Sequence, residues 1–388
     1  MYHLFLLIFA TAVVAIAREW GMAWQDLMPY TAGAFALFGL GSLPSGRLGD
    51  LWGRRAMMIV FFVGMGLAAL LVATATGVWH LAAALTLMGI FASIYHPVGI
   101  PMLVQSSTRP GFTIGVNGLA GNLGIAGAAI LTGFLVKHFG WRMSFVVPGL
   151  IALVCAGLFW LLVPREETAP AKRAKKQVDL PRSVMMRAIF VMTLAGASGS
   201  MIFNFTTNGN GAFLSERLTG IVEDPATLGV LLAVVYTIAS LAQLVVGKLI
   251  DRFPLKRVYL PIAAMQVPLF LIAANTAGWP LYALMLVFMA FVFGAIPFVD
   301  AMTVLYVDDS LRSRVAGIRL AISFGVSSTA VYLLGPLVKA SGFTTLLVVM
   351  AAISLMTTLF VVMLPGVDPR RAAAAAPVPA AAPAAGGK

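Results

Sequence analysis

Apolar residues in this chain gather into long runs, with the polar and charged ones collected in the gaps between them. A helix that crosses a bilayer needs about 20 predominantly apolar residues. Runs of that order predict helices at 2–17, 28–46, 56–76, 79–104, 112–136, 143–163, 187–213, 227–247, 257–276, 280–307, 315–338 and 343–364. The first run is the short one, because it begins at residue 2 and meets Arg18-Glu19 after residue 17. It has neither a basic start nor a clear small-residue cleavage site, so it reads as a span and not as a cleaved signal peptide. Its length implies that a turn is missing or that the helix starts deep in the bilayer.

A second pattern lies over the first. The phrase Gly46-Arg47-Leu48-Gly49-Asp50-Leu51-Trp52-Gly53-Arg54-Arg55 returns 201 residues later as Gly247-Lys248-Leu249-Ile250-Asp251-Arg252-Phe253-Pro254-Leu255-Lys256-Arg257. Each copy is a burst of charge at the end of an apolar run, and Pro97 and Pro297, both inside predicted helices, repeat at an offset of 200. The chain therefore divides into two related six-helix bundles, residues 1–163 and 187–365, which predicts an all-α membrane protein of two pseudo-symmetric halves. A polar stretch at 164–186, holding Lys172, Arg173, Lys175, Lys176 and Arg182, reads as a solvated linker, and the Ala/Pro-rich tail at 366–388 as disordered.

Composition agrees with the class: 60% of residues are hydrophobic, 10% are charged, and the mean hydropathy is +0.96. The net charge of +12 does not signal a nucleic-acid partner, because the basic residues sit in short gaps between spans. Of the 26 Lys and Arg, only Arg18, Lys137, Arg142, Arg217 and Lys339 fall on the face away from the repeated hairpins, which leaves 21 on the hairpin face. That bias predicts an inner (plasma) membrane protein with the hairpins and both termini in the cytoplasm. The acidic residues Glu19, Asp26, Glu216, Glu223 and Asp224 on the other face do not alter the assignment, since the rule counts cations. The single cysteine, Cys155, excludes an intrachain disulfide and reads as helix packing.

Twelve helices in two halves, with Gly-x-Leu-x-Asp-x-x-Gly-Arg-Arg at 46–55 and a degraded copy at 247–257, resemble the major facilitator superfamily over about residues 1–365. Ser93-Ile94-Tyr95-His96-Pro97 on the fourth span and Gly121-Asn122-Leu123-Gly124 on the fifth resemble that superfamily's fosmidomycin-resistance branch of drug exporters. Phe139-Gly140-Trp141-Arg142 is widespread in the superfamily. The resemblance implies alternating access with spans 1, 4, 7 and 10 around a central cavity, acting as a proton-coupled antiporter in efflux. The chain departs from typical exporters in having no Arg within the fourth span and no Gly-Pro pair in the glycine series of the fifth.

Mapping polar residues onto those four spans selects His3, Tyr95, His96, Asn204, Thr207, Asn208, Asp300 and Tyr306 as substrate- or proton-binding candidates. Asp300 stands out, because an ionisable group inside a span is costly and functional by default. An internal salt bridge is its structural alternative, and for His96 the alternative is a ring that satisfies carbonyls loosened by Pro97. Asn204 and Asn208 lie one helical turn apart and share a face, suited either to substrate or to helix packing. Asp50 and Asp251 are expected to meet the positive N-terminal ends of helices 11 and 5, near Val315 and Thr113, as a cytoplasmic gate with Arg54 and Arg55 that holds the outward-open state. Arg319 is expected to snorkel to the cytoplasmic surface or to meet Asp308. Gly115, Gly118, Gly121, Gly124 and Gly127 form a smooth stripe for a closely packed, sliding or static helix.

No deep Arg or Lys is seen in these spans, which disfavours a small polyanion and leaves a cationic, neutral or amphipathic solute. An alternative of the same fold is a nutrient transporter, or a divalent-metal transporter using Asp300, His96 and His3 as ligands. A non-transporting receptor or scaffold is the alternative of another class. With no phosphate-binding loop and no nucleophile or metal cluster, neither an enzyme nor an ATP-driven pump is expected, and no cofactor or resident metal. The expected partners are a small-molecule substrate, protons and the lipid bilayer, with the chain a monomer.

Overall fold

The computed structural model describes residues 2–105, 110–164, 181–306 and 309–365, and the secondary structure there is helical throughout. The helices are α1 (Tyr2–Trp20), α2 (Ala32–Trp52), α3 (Arg54–Ala73), α4 (Val78–Ala92 continued by a π-helical turn, Tyr95–Gly99, and by Ile100–Gln105), α5 (Pro110–Phe139) and α6 (Met143–Leu162). The second half holds α7 (Arg182–Arg217), α8 (Pro225–Arg252), α9 (Leu255–Ala274) and α10 (Gly278–Gly294 continued by Ile296–Tyr306). The stretch Asp309–Val362 is two helices, α11 (309–341) and α12 (343–362), folded back at Gly342, whose φ of 73° suits a residue without a Cβ.

Among the described residues, ten stretches are long and apolar enough to cross a membrane, with most of α11 and all of α12 falling in one of them. The helix that hydropathy alone passes over is α2, diluted by Gly33, Gly39, Gly41, Gly46, Gly49 and Pro44. The short first span is also accounted for. Helix α1 does not stop at Arg18; Glu19 accepts hydrogen bonds from Trp141 Nε1 at 2.8 Å and Arg142 at 2.6 Å, so the last turn carries its charge in a paired form. Nineteen residues at 1.5 Å each give about 28 Å, close to the thickness of the hydrocarbon core. At the centre of the chain, residues 182–186 of the expected linker instead open α7, with Pro181 at the helix boundary. Lys172, Arg173, Lys175 and Lys176, like the tail at 366–388, lie outside the described residues.

The halves share one packing plan. In the first, α1 packs on α5, α2 on α4 and α3 on α6; in the second, α7 packs on α11, α8 on α10 and α9 on α12. Between them, α5 meets α8 and α2 meets α11, which is again one relation seen twice. Pro97 and Pro297 both sit where a cavity-side helix is broken, at Ser93–Gly99 in α4 and at Ala295 in α10. The charged hairpins are equivalent in a further way. Arg55 donates from Nε to the Val163 carbonyl at 2.6 Å and from a second nitrogen to Trp160, at the C-terminal end of α6. Lys256, 201 positions on, donates to the carbonyls of Val362 at 2.6 Å and Leu364 at 3.2 Å, at the end of α12. Each half thus places a cation on the negative end of its own last helix, where unsatisfied carbonyls collect.

Candidate functional site: the central cavity and its closed face

A cavity of about 170 Å³ lies between the halves, lined by His3, Leu6, Leu7, Phe35, Phe38, His96, Ile125, Ser200, Phe203, Asn204, Thr207, Asn208, Phe324 and Ser327. Five of the eight residues expected here line it: His3, His96, Asn204, Thr207 and Asn208. His96 sits on the π-helical turn with its ring against Phe38, centroids 5.8 Å apart. The imidazole of His3 lies against Gly121, where a Cβ would come within 3.0 Å of Nδ1.

Of the other three, two tyrosines stand elsewhere. The hydroxyl of Tyr95 donates to Asn117 on α5 and its ring packs on Phe61 of α3, because the wider π turn rotates successive side chains away from α-helical register. Tyr306 is buried at the hairpin end of α10, its hydroxyl 3.5 Å from the Pro365 carbonyl. Asp300 is on the segment Ile296–Tyr306, and its side chain lies outside the described residues.

Helices α7 and α11 supply polar residues that sequence reasoning passed over. Asn204 donates both amide hydrogens, to the Ser200 carbonyl at 2.9 Å and to Ser327 Oγ at 2.8 Å. Ser200 donates to the Ser323 carbonyl at 3.0 Å, and Ser200 and Ser327 are 2.9 Å apart. Asn208 donates to the Asn204 carbonyl at 3.1 Å, and Thr207 to the Phe203 carbonyl at 2.7 Å. Asn204 therefore packs α7 on α11 through its amide nitrogen and also lines the cavity. Phe38 of the first half and Phe324 of the second meet edge to face at 4.5 Å, and a Cβ on Gly39 would collide with the Phe324 ring. Nothing in the sequence separates these two from the other phenylalanines among the 25 in the chain except helix rotation, which only the packed structure sets.

Contacts between the halves concentrate on the face away from the hairpins. Lys137 at the end of α5 pairs with Asp224 just before α8 at 2.9 Å, and Lys339 at the end of α11 pairs with Asp26 before α2 at 2.6 and 2.8 Å. One turn earlier, Gly133 lies so close to α8 that a Cβ would be 2.5 Å from the Pro225 carbonyl, and a Cβ on Gly335 would collide with the Gln25 carbonyl. The surrounding sequences match: Gly133-Phe-Leu-Val-Lys137-His-Phe-Gly140-Trp141 and Gly335-Pro-Leu-Val-Lys339-Ala-Ser-Gly342-Phe343, 202 residues apart, each ending in a glycine of positive φ. Trp24 stacks on Phe343 at 5.7 Å beside the second pair. The hydrogen bonds from Lys137 and Thr227 hold the Asp224 carboxyl down to about 2 from the usual 3.8. Deeper in, Asn122 donates to Gln243 at 2.9 Å across α5 and α8.

The structure also places the glycine stripe and the charged hairpins. The stripe on α5 turns toward its own half: Gly121, Gly124 and Gly127 face His3 and Leu4 of α1, and Gly118 has nothing within 4 Å. The surface on which the halves approach is the Ala129–Gly133 face against Gly229, a small-residue crossing of α5 and α8. On the hairpin face, Asp50 and Asp251 are exposed, and neither is ion-paired to another described residue. Arg55 serves its own half, as above. Arg54 begins α3, and Arg319 lies within α11.

The sequence profile of the Major Facilitator Superfamily matches residues 1–216 and 197–386, so the chain belongs to that family of membrane transporters and is not an enzyme. Multidrug resistance protein MdtG of Yersinia enterocolitica is 24% identical over 332 residues, covering 81% of this chain and 77% of that protein. The gallate transporter of Pseudomonas putida is 24% identical over 161 residues, which is 41% of this chain and only 36% of that protein. Among solved structures, a bacterial homologue of the human lysosomal transporter Spinster, inward-facing and occupied, superposes with a TM-score of 0.70 at 16% identity, covering 93% of this chain and 94% of that one.

Proposed function

We propose that this protein is a proton-coupled exporter that moves a small drug-like or amphipathic solute through the central cavity by alternating access. The observation that carries the reading is a cavity at the junction of two related halves, with one face sealed by contacts that exist only while those halves lean together. Residues 1–163 and 187–365 are the two moving bodies. The hairpin face is cytoplasmic in this reading, as the excess of Lys and Arg requires, so the cavity loads from the cytoplasm of the inner membrane. The multidrug-resistance relative, which spans most of the chain, supports export.

Asp300 is the assigned proton carrier, with His96 and His3 beside the solute path. A carboxyl that ionises and is neutralised once per cycle couples the proton gradient to the change of face. The test is flux in proteoliposomes under an imposed pH gradient. Wild-type protein is expected to give pH-driven flux, and Asp300→Asn to lose it while keeping its fold and its solute binding. Unchanged pH-driven flux in that variant removes Asp300 from the mechanism. Binding without flux in the wild type points to a receptor or scaffold.

A further inference from the structure

The α7–α11 side of the cavity is biased toward one kind of hydrogen-bonding partner. Of the groups that α7 and α11 turn toward it, the donors are engaged inside the protein: both hydrogens of the Asn204 amide, the hydroxyls of Ser200 and Thr207, and one amide hydrogen of Asn208. What these groups keep available is acceptor capacity: the side-chain oxygen of Asn208, the second lone pair of the Asn204 side-chain oxygen, which already accepts a long hydrogen bond from the Asn208 amide at 3.5 Å, and the lone pairs of the hydroxyls. Asn204 and Asn208 are 5% and 2% exposed, so an acceptor there that meets no donor is costly. Around them Phe35, Phe38, Phe203 and Phe324 form an aromatic wall. No Asp, Glu, Lys or Arg is among the described residues that line the cavity.

Resting on the reading of this cavity as the transport site, we propose that its substrate is a small aromatic molecule that carries hydrogen-bond donors, a phenol or an aryl amine, and not an aromatic carboxylate. The ring sits at the Phe38–Phe324 edge, and the donors meet the Asn204 and Asn208 oxygens. A carboxylate brings only acceptors to an α7–α11 wall already rich in them, which leaves the ring nitrogens of His3 and His96 on the other side of the cavity to meet it. Size agrees, since a cavity of about 150 Å³ is known to take up benzene, and this one, at about 170 Å³, holds a single ring with small substituents in the conformation described.

The test uses the full-length purified protein and four probes of similar size: resorcinol, 1,3-dimethoxybenzene, which has the same ring with its donors blocked, benzoate, and 1,3-cyclohexanediol, which keeps the donors and loses the ring. Resorcinol alone is expected to raise the melting temperature in a concentration-dependent way. Asn208→Leu is expected to weaken resorcinol binding about tenfold, and Phe324→Leu to weaken it without restoring dimethoxybenzene. The Phe324 variant keeps the test open if the Asn208 variant fails to fold. Equal stabilisation by dimethoxybenzene or benzoate overturns the proposal, as does stabilisation by the diol. The outcomes stay separable from those of the transport reading: resorcinol binding without flux retains this site and rejects transport, whereas pH-driven flux of another solute that resorcinol does not inhibit retains transport and rejects this substrate class.

Discussion

The two faces of the molecule carry charge for different ends. On the hairpin face the charges lie exposed or bind carbonyls of their own half: Asp50 and Asp251 are exposed, while Arg55 and Lys256 cap α6 and α12. On the opposite face the charges are few, yet Lys137 with Asp224 and Lys339 with Asp26 join one half to the other. The hairpin face is rich in cations, as the proposed cytoplasmic orientation expects. On the closed face a small number of charges suffices, because each sits one turn from a glycine that lets two backbones touch. Charge density and closure are thus independent properties, and the sparser face is the one that is locked.

The largest effect is expected where backbone meets backbone. Leu at Gly335 or Gly133 has no space against Gln25 or Pro225. Overpacking of about 1–3 kcal/mol per site moves a two-state equilibrium by roughly 5- to 150-fold, here away from the closed face. Spin-label distances between the ends of α5 and α8 and of α2 and α11 should lengthen on that face; unchanged distances would mean the glycines fill space and do not gate it.

A smaller shift is expected from the ion pairs. Lys137→Ala and Lys339→Ala should each open the same face by a factor of about two, less at high salt, since both pairs are solvent-exposed. The pH dependence has a definite sign. The Asp224 carboxyl is lowered from 3.8 to about 2 chiefly by Lys137 across the closed face and further by Thr227 on its own helix, so the part that closure contributes is complete above pH 4 and is lost as the pH falls toward 2. Between pH 5 and 8 the Lys137–Asp224 pair should not respond, and any change of face over that range must come from another group. A titration of the label distances that turned with Asp224→Asn in that window would contradict this.

The smallest effect belongs to the hairpin face. Asp50 and Asp251 form no ion pair with another described residue, so Asp50→Asn and Asp251→Asn are expected to act chiefly on the outward-open state, by about 0.3–1 kcal/mol each. The same spin labels, placed at the hairpin ends of α2 and α11, should report a modest gain in the conformation seen here, additive in the double variant.

Much of this was legible in the chain. The spans, the duplication and the packing relation follow from runs of apolar residues and two repeated hairpins, because a bilayer leaves so few solutions. Five cavity residues followed from placing polar groups on four helices. Tyr95 was misplaced because a π turn has no reliable sequence signal, and Tyr306 because its depth depends on where α10 breaks. The second repeat, Gly-x-Leu-Val-Lys-x-x-Gly, went unread for a different reason: Lys137 and Lys339 counted as exceptions to a topology rule, and the acids were set aside. Arg142 pairs with Glu19, Lys137 with Asp224 and Lys339 with Asp26 across 123, 87 and 313 residues, separations at which no local pattern connects them.

The clamp also says something about symmetry. Each half presents a Lys at the end of its fifth helix and an Asp before its second, and each Lys finds the other half's Asp. When residue i of one body meets j of another and j of the first meets i, the interface is isologous, the arrangement of a two-fold homodimer. Here the dimer is written into one polypeptide. A single six-helix half already contains both members of the contact, so it has the chemistry to seal against a copy of itself, and fusion into one chain frees the two copies to drift apart. Phe and Pro now follow Gly133 and Gly335 respectively, and Trp141 of one repeat corresponds to Phe343 of the other. The lock keeps the mark of a self-complementary surface while the residues beside it have become private to each side.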